Sequence, residues 1–411
     1  MSFAVPKGFW WGTATAAHQV EGGNVYNDNW LLEHMPESFF AEASGDAIDH
    51  YHRYEDDIAL LADLGLNLYR FSLEWSRIEP EEGRFSTAAL DHYRRMLAAC
   101  WERGITPMVT FHHFTSPRWL HRHGGWAGDA TPDRFARFCE RATRHLGDLI
   151  GAACTLNELN IAAILAANVD YSFGNPWEFP MVVDAARELG VNPEQFVPFF
   201  FATSEKAAEV MLKSHRLAVT ALKSGPGCFP VGMTLGLQDI QSTAGGETKA
   251  AAANRAINEL WLEGARGDDF IGVQSYSRML FGPNGPLPPP ADAEVTQLGY
   301  EFYPEALEAT IRHAIAVSGA PVIVTENGLG SADDTRRVEF IRRALNGVAN
   351  CLRDGLDVRG YVHWSAFDNY EWIYGFEPKF GLIEVDRTTQ TRTLKPSARY
   401  FGEIARTGIV P

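Results

Sequence analysis

Eight short runs of apolar, β-prone residues punctuate the chain, and each is followed by a stretch with helical periodicity. The runs are Phe9 to Thr15, Leu66 to Leu73, Thr106 to Phe111, Ala152 to Leu156, Val231 to Leu237, Phe270 to Ser275, Pro321 to Thr325 and Tyr361 to Phe367. Helical spacing covers Ile48 to Leu64, Thr87 to Arg103, Pro132 to Asp148, Glu205 to Lys223, Ala250 to Glu263, Pro304 to Val317 and Thr335 to Arg353, and an eighth helix is expected from Pro396. Runs this short and this poor in charge suit parallel strands covered on both faces, and parallel neighbours need crossover helices between them. Eight such units over 411 residues, with no linker or shift of composition between the halves, predict one domain over residues 1–411, a closed (β/α)8 TIM barrel with its site at the C-terminal face of the strands. A doubly wound open sheet is the alternative. It calls for a glycine-rich phosphate turn after an early strand, and GTATAA at 12–17 lacks that spacing. GPNGPLPPP at 282–290 has the composition of a surface loop with polyproline character.

Composition narrows the function classes. At 45% hydrophobic residues the chain can bury a large core. Its 52 acidic residues against 36 basic ones give a net charge of -16 with no basic block, which disfavours nucleic acid and anionic membrane as partners. The cysteines, Cys100, Cys139, Cys154, Cys228 and Cys351, are odd in number and scattered. They suggest reduced thiols rather than a disulfide framework or a zinc ribbon. No stretch reaches the roughly 18 apolar residues of a spanning helix, and the N-terminus lacks a basic region followed by a long apolar segment. A cytoplasmic location is expected; homo-oligomerisation is left open.

Polar residues interrupt the apolar runs near their C-terminal ends. The segments CTLNE at 154–158 and VTENG at 324–328 each set a glutamate beside an asparagine as a run ends. A carboxylate there is desolvated yet reachable, so Glu158 and Glu326 suggest paired-carboxylate chemistry. Gln19, Arg70, His113, Asn157, Tyr276, Trp364, Glu371 and Trp372 occupy comparable positions. In a barrel all would converge on one pocket of carboxylates, amides and aromatics, the groups that bind sugar hydroxyls and the apolar ring face. Taken alone, either glutamate also suits a salt-bridge partner of an arginine; two, each beside Asn, favour catalysis. Arg70 also suits a structural ion pair, and Tyr276, Trp364 and Trp372 suit core aromatics. His112, His113, His121 and His123 lack metal-ligand spacing, and the first two should face opposite sides of one strand. Neither a metal nor a cofactor is expected.

From FWWGTATAAHQVEG at 9–22 to WSAFDNYEW at 364–372 and KFGL at 379–382, the chain resembles family 1 glycoside hydrolases, the retaining β-glucosidases and β-galactosidases. The resemblance covers nearly the whole chain. It implies that Glu158 is the acid/base and Glu326 the nucleophile, that Arg70 and Tyr276 contact the nucleophile, and that Gln19, His113, Asn157, Glu371 and Trp372 hold the non-reducing sugar over a floor made by Trp364. The implied substrate is a small β-glycoside or oligosaccharide, most simply a β-glucoside. Two carboxyls about 5 Å apart would act by double displacement through a covalent glycosyl-enzyme. Glu371, near the 4- and 6-hydroxyls, would repel a phosphate, so an unphosphorylated glycoside is expected. β-Galactosidase, β-fucosidase and transglycosylase activities share the same carboxylates, whereas a non-catalytic sugar-binding barrel would normally have lost one. A metal-dependent barrel hydrolase would lose activity to a chelator.

Several residues depart from the common family pattern. Leu159 and Asn160 stand where proline and tryptophan are usual, Gln274 and Ser275 where asparagine and tyrosine are, and Phe114 and Thr115 where tryptophan and aspartate are. The first pair is expected to alter the shape of the acceptor site, the second to affect aglycone or acceptor contacts, and the third to change the packing behind the site. The segment Asn175 to Phe201, rich in proline and phenylalanine, is expected to shape the aglycone entrance.

Overall fold

The eight apolar runs form the eight strands of a barrel. A computed structural model of the chain describes residues 2–168 and 175–411. The barrel strands are β1 (Trp10–Ala14), β2 (Leu68–Ser72), β3 (Thr106–His112), β4 (Ala152–Leu156), β5 (Val231–Gly236), β6 (Phe270–Gln274), β7 (Val322–Asn327) and β8 (Val358–Trp364). Each pairs in parallel with the next, and β8 closes on β1 through Gly360 opposite Trp10 to Trp364 opposite Ala14. The open-sheet alternative is thereby excluded.

The outer ring is α1 (His50–Asp63), α2 (Thr87–Glu102), α3 (Thr131–Leu146), α4 (Glu205–Lys223), α5 (Glu247–Gly264), α6 (Ala306–Ser318), α7 (Asp334–Arg353) and α8 (Pro396–Thr407). A π-turn at Arg255–Glu259 interrupts α5. Side chains start α2 and α4, where the hydroxyls of Ser86 and Ser204 accept from backbone N–H groups of the first turn.

Alternation along the strands divides the core. Tyr69, Phe71, Val109, Ile271 and Val273 face the helices, while Leu68, Met108, Ala152, Cys154, Phe270, Ile323 and Val362 fill the barrel interior. On β2 this places Arg70 inside with Leu68. On β7 the same period would turn Glu326 outward with Val322 and Val324. A register shift between Val324 and Glu326 redirects it, which is what a β-bulge does beside a functional site.

Two boundaries differ from the sequence reading. β8 begins at Val358 rather than Tyr361 and ends at Trp364, because Arg359, a charge that reads as loop, sits exposed at the strand start and pairs with Asp357 at 2.8 Å. The stretch at 282–290 is partly a strand: Gly285–Leu287 pairs antiparallel with Arg278–Gly282, with Pro283 and Asn284 forming the tight turn between them. Between β4 and α4, residues 175–201 contribute the helix Pro180–Leu189. Its Met181, Val182, Ala185 and Ala186 pack on Leu31 and Leu32 of the helix Asp28–Glu33, a small second core above the barrel mouth.

Candidate active site

Glu326 ends β7 with both carboxylate oxygens engaged. Arg70 Nη1 donates to Oε1 at 2.6 Å, and the Tyr276 hydroxyl donates to Oε2 at 2.6 Å. Arg70 is fully buried and also donates from Nη2 to Asn157 Oδ1 at 2.5 Å, so one guanidinium joins the ends of β4 and β7. Thr234 on β5 donates to the same Asn157 oxygen at 3.1 Å. The Asn157 amide then donates to His113 Nε2 at 3.2 Å.

Glu158 follows Asn157 with its backbone in the left-handed region at φ 43°. Phe114 at φ 70° and Trp372 at φ 52° share that feature, and non-glycine residues held there concentrate at functional sites. The Glu158 carboxyl receives Gln274 Nε2 at 2.9 Å. Gln274 also favours the charged form of Glu326.

The charge balance of the pocket separates the two glutamates. Burial first, and the charge of Glu326 second, push Glu158 up to about 8. Burial also raises Glu326, but Arg70 and Tyr276 oppose it directly. Glu371 is driven up to about 8 by burial and by Glu326. With Arg70 the guanidinium bonded to this group, the proton belongs on Glu158 and the negative charge on Glu326. A carboxyl holding its proton to near pH 8 beside an ionised one can donate to a leaving oxygen while its partner attacks carbon.

The remaining predicted residues line the same pocket. Gln19, in the short helix Ala17–Val20 after β1, donates to the Tyr370 carbonyl at 2.7 Å, to Asn369 Oδ1 at 3.1 Å and weakly to Glu371 at 3.4 Å. Its Oε1 is buried without a partner among the described residues, as is His113 Nδ1. Burial, then Arg70, holds His113 well below 6.5, hence neutral. Because Nε2 accepts from Asn157, the proton sits on Nδ1. A free acceptor and a free donor thus suit one hydroxyl group. The His113 ring stacks on Trp364 at 5.7 Å and 21°, and on Trp372 at 6.3 Å and 15°. His112 turns away, bonding Ser116 at 3.0 Å and packing on Trp126. His121 and His123 pair separately with Asp28 and Glu82.

Some contributors escaped the sequence reading. Thr234 is a polar residue on an apolar strand, the same signal that singled out Arg70; Gln274 carries that signal too but reads in the sequence only as a departure from the family pattern. His18 stacks on Trp372 at 5.8 Å and bonds Glu33 at 2.6 Å. Burial disfavours its charge, yet Glu33 raises its pKa overall. Leu159 and Asn160 are fully buried. Asn160 clamps both backbone groups of Gly236, at 3.0 and 2.7 Å, and the Ile257 carbonyl at 2.9 Å. Asn160 thus fixes the end of β5. Phe114, in contrast, meets Phe200 at 4.6 Å and Trp372 at 5.3 Å, at the pocket wall.

Comparison with known proteins agrees with this geometry. The family model for glycosyl hydrolase family 1 matches residues 1–176 and 287–409. Thermostable beta-glucosidase B of Thermobispora bispora is 31% identical over 98% of this chain and 90% of its own length. The bifunctional beta-D-glucosidase/beta-D-fucosidase of Bifidobacterium breve is 30% identical over 98% of each. Among solved structures, the beta-glycosidase BGL167 is 56% identical, with a TM-score of 0.95 over 98% of this chain and 97% of that one. Beta-glucosidase 1317 is 45% identical, with a TM-score of 0.91 over 97% and 98%. The paired carboxyls, the barrel that presents them and these likenesses together make the chain a member of glycosyl hydrolase family 1, a glycoside hydrolase.

Proposed function

We propose that the protein is a retaining, exo-acting β-glucosidase that hydrolyses unphosphorylated β-D-glycosides by double displacement. The observation that carries this is the split environment of the two glutamates among the described residues: Arg70 and Tyr276 on Glu326, Gln274 on Glu158. Ionised Glu326 attacks the anomeric carbon while Glu158 protonates the departing oxygen, giving a glycosyl-enzyme and a free alcohol. Esterification removes the negative charge that raised Glu158, so its pKa falls and it takes a proton from the water that attacks next. Tyr276, with its own pKa raised well above 10 by burial and then by Glu326, stays a hydrogen-bond donor throughout.

Gln19 Oε1 and His113 Nδ1–H take one sugar hydroxyl between them. The second Asn157 amide proton serves the 2-hydroxyl, and Trp364 lies beneath the ring. Glu371 and Trp372 face the far hydroxyls. Among the described residues the groups acting on Glu371 are Glu326 and Gln19, neither of them cationic, so a phosphate there would meet the charge of Glu326 and no counter-ion from this pair. The aromatic wall of Phe114, Phe200 and Trp372, backed by residues 175–201, is read as the aglycone entrance.

Residues 1–411 are read as one catalytic unit, since the ends of the chain meet in a ribbon of Phe3–Ala4 with Ile409–Val410. The free cysteines, all but Cys228 buried, support a reducing compartment such as the cytoplasm. Among the described residues no helix is long and apolar enough to cross a membrane. A β-fucosidase side activity is favoured by the likeness to the bifunctional beta-D-glucosidase/beta-D-fucosidase of B. breve.

Proton NMR of the sugar first released from an aryl β-D-glucoside tests this reading. Initial β-glucose is expected, whereas initial α-glucose would contradict direct attack by Glu326. Higher kcat/KM on a 6-phosphoglucoside than on the plain glucoside would refute the assignment made to Glu371.

A further inference from the structure

We infer that Gln274 is a positioning residue for the reaction, holding one oxygen of the Glu158 carboxyl so that the acid proton resides on the other. The inference rests on the reading of Glu158 as acid/base.

Gln274 ends β6, fully buried, on the inward face shared with Phe270. Its carbonyl accepts from Thr325 Oγ1 at 3.3 Å, and its amide faces the carboxylates, donating to Glu158 Oε1 at 2.9 Å. The reverse orientation would set a carbonyl against a carboxylate oxygen, so the network selects this one. Gly236 closes the other side: a Cβ there would lie 2.9 Å from the same Glu158 oxygen, and Asn160 fixes that glycine through both backbone groups. The Glu158 amide adds a weaker bond to Thr234 Oγ1 at 3.4 Å.

Glu158 Oε1 is therefore held between an N–H donor and a backbone wall. An oxygen that already accepts a hydrogen bond is the poorer place for the proton. Oε2 carries it, and Oε2 is left to face the leaving oxygen. Such a donor favours the ionised carboxyl, so it also works against the burial that raises Glu158. The asparagine common at this position in the family is one methylene shorter. Glutamine supplies the reach from β6 to Glu158.

The test compares Gln274→Met, nearly isosteric without a donor, and Gln274→Asn, a donor of shorter reach, with wild type, using full-length enzyme and an aryl β-D-glucoside. For both variants the basic limb of the kcat/KM against pH profile should move up by about 0.5–1 pH unit, as expected for one lost hydrogen bond to a carboxylate. At the optimum kcat should fall by roughly 10-fold. A merely structural glutamine would lower activity without moving the limb. An unmoved or downward-shifted basic limb in whichever variants fold overturns the inference. Glu158→Gln separates the two levels of argument. If that variant keeps the wild-type kcat/KM with its basic limb in place, the acid/base assignment itself fails and the limb belongs to another group such as Glu371, also raised to about 8. If the limb vanishes there but stays in place in the Gln274 variants, only the present inference fails.

Discussion

At the residue scale the site is a problem of charge. Glu158 and Glu326 are buried together, Glu371 is half-buried and feels the charge of Glu326, and Arg70 is the guanidinium bonded to Glu326. A neutral amide at Glu326 could neither attack carbon nor pair with Arg70, so Glu326→Gln should lower kcat on the order of 10⁵-fold, measured by steady-state kinetics. The raised pKa of Glu158 also carries a stability cost with a defined sign. Its folded value of about 8 lies above the ordinary carboxylate value, so the folded state binds the proton more tightly. The associated stability is complete below about pH 4 and is lost as pH rises towards 8. Glu158→Gln does not titrate. Its Tm should match wild type near pH 4 and exceed it by on the order of 5 °C at pH 8. A constant offset across that range would mean that Glu158 is not the group with the raised value. Arg70, His113 and Glu326 were legible one by one as polar residues at strand ends. Their mutual bonds were not, since Arg70 and Glu326 stand 256 positions apart.

At the scale of elements, the strand ends act as mounts for side chains, and small residues set the clearances. Gly236 is the clearest case, because a methyl group there would press on the Glu158 carboxyl. Gly236→Ala should keep the fold, with an unchanged far-UV CD spectrum, and lose roughly 100-fold in kcat, the usual consequence of misplacing a reacting group by about 1 Å. An unchanged kcat would mean that the carboxyl is not held against β5. The bulge in β7 works in the opposite sense, turning Glu326 inward where strict alternation would turn it out. Period-two reasoning placed the strand correctly and could not have found the bulge, because nothing in VIVTEN marks the extra residue. Asn160 shows a similar gap. Its departure from the family pattern was visible, but that it clamps β5 depends on how β4 and β5 pack.

At the scale of the whole molecule, closure of the barrel depends on the last helix. Phe401 of α8 packs against Trp11 of β1 at 6.0 Å and Tyr361 of β8 at 5.6 Å, sealing the seam between the first and last strands. Phe401→Ala should cost about 3–5 kcal/mol of stability, read from urea unfolding. A loss under ~1 kcal/mol would show that the seam relaxes around the cavity. The alternation of apolar runs and helical spacing determined the eightfold barrel, because burying both faces of each strand leaves few other arrangements for that pattern. It also determined which polar residues sit at strand ends, and hence which could meet. Only the tertiary structure decided which of them do meet, which carboxyl keeps its proton and which residues merely hold others in place. Those outcomes depend on distances between groups far apart in the chain and on their removal from water, and local sequence encodes neither directly.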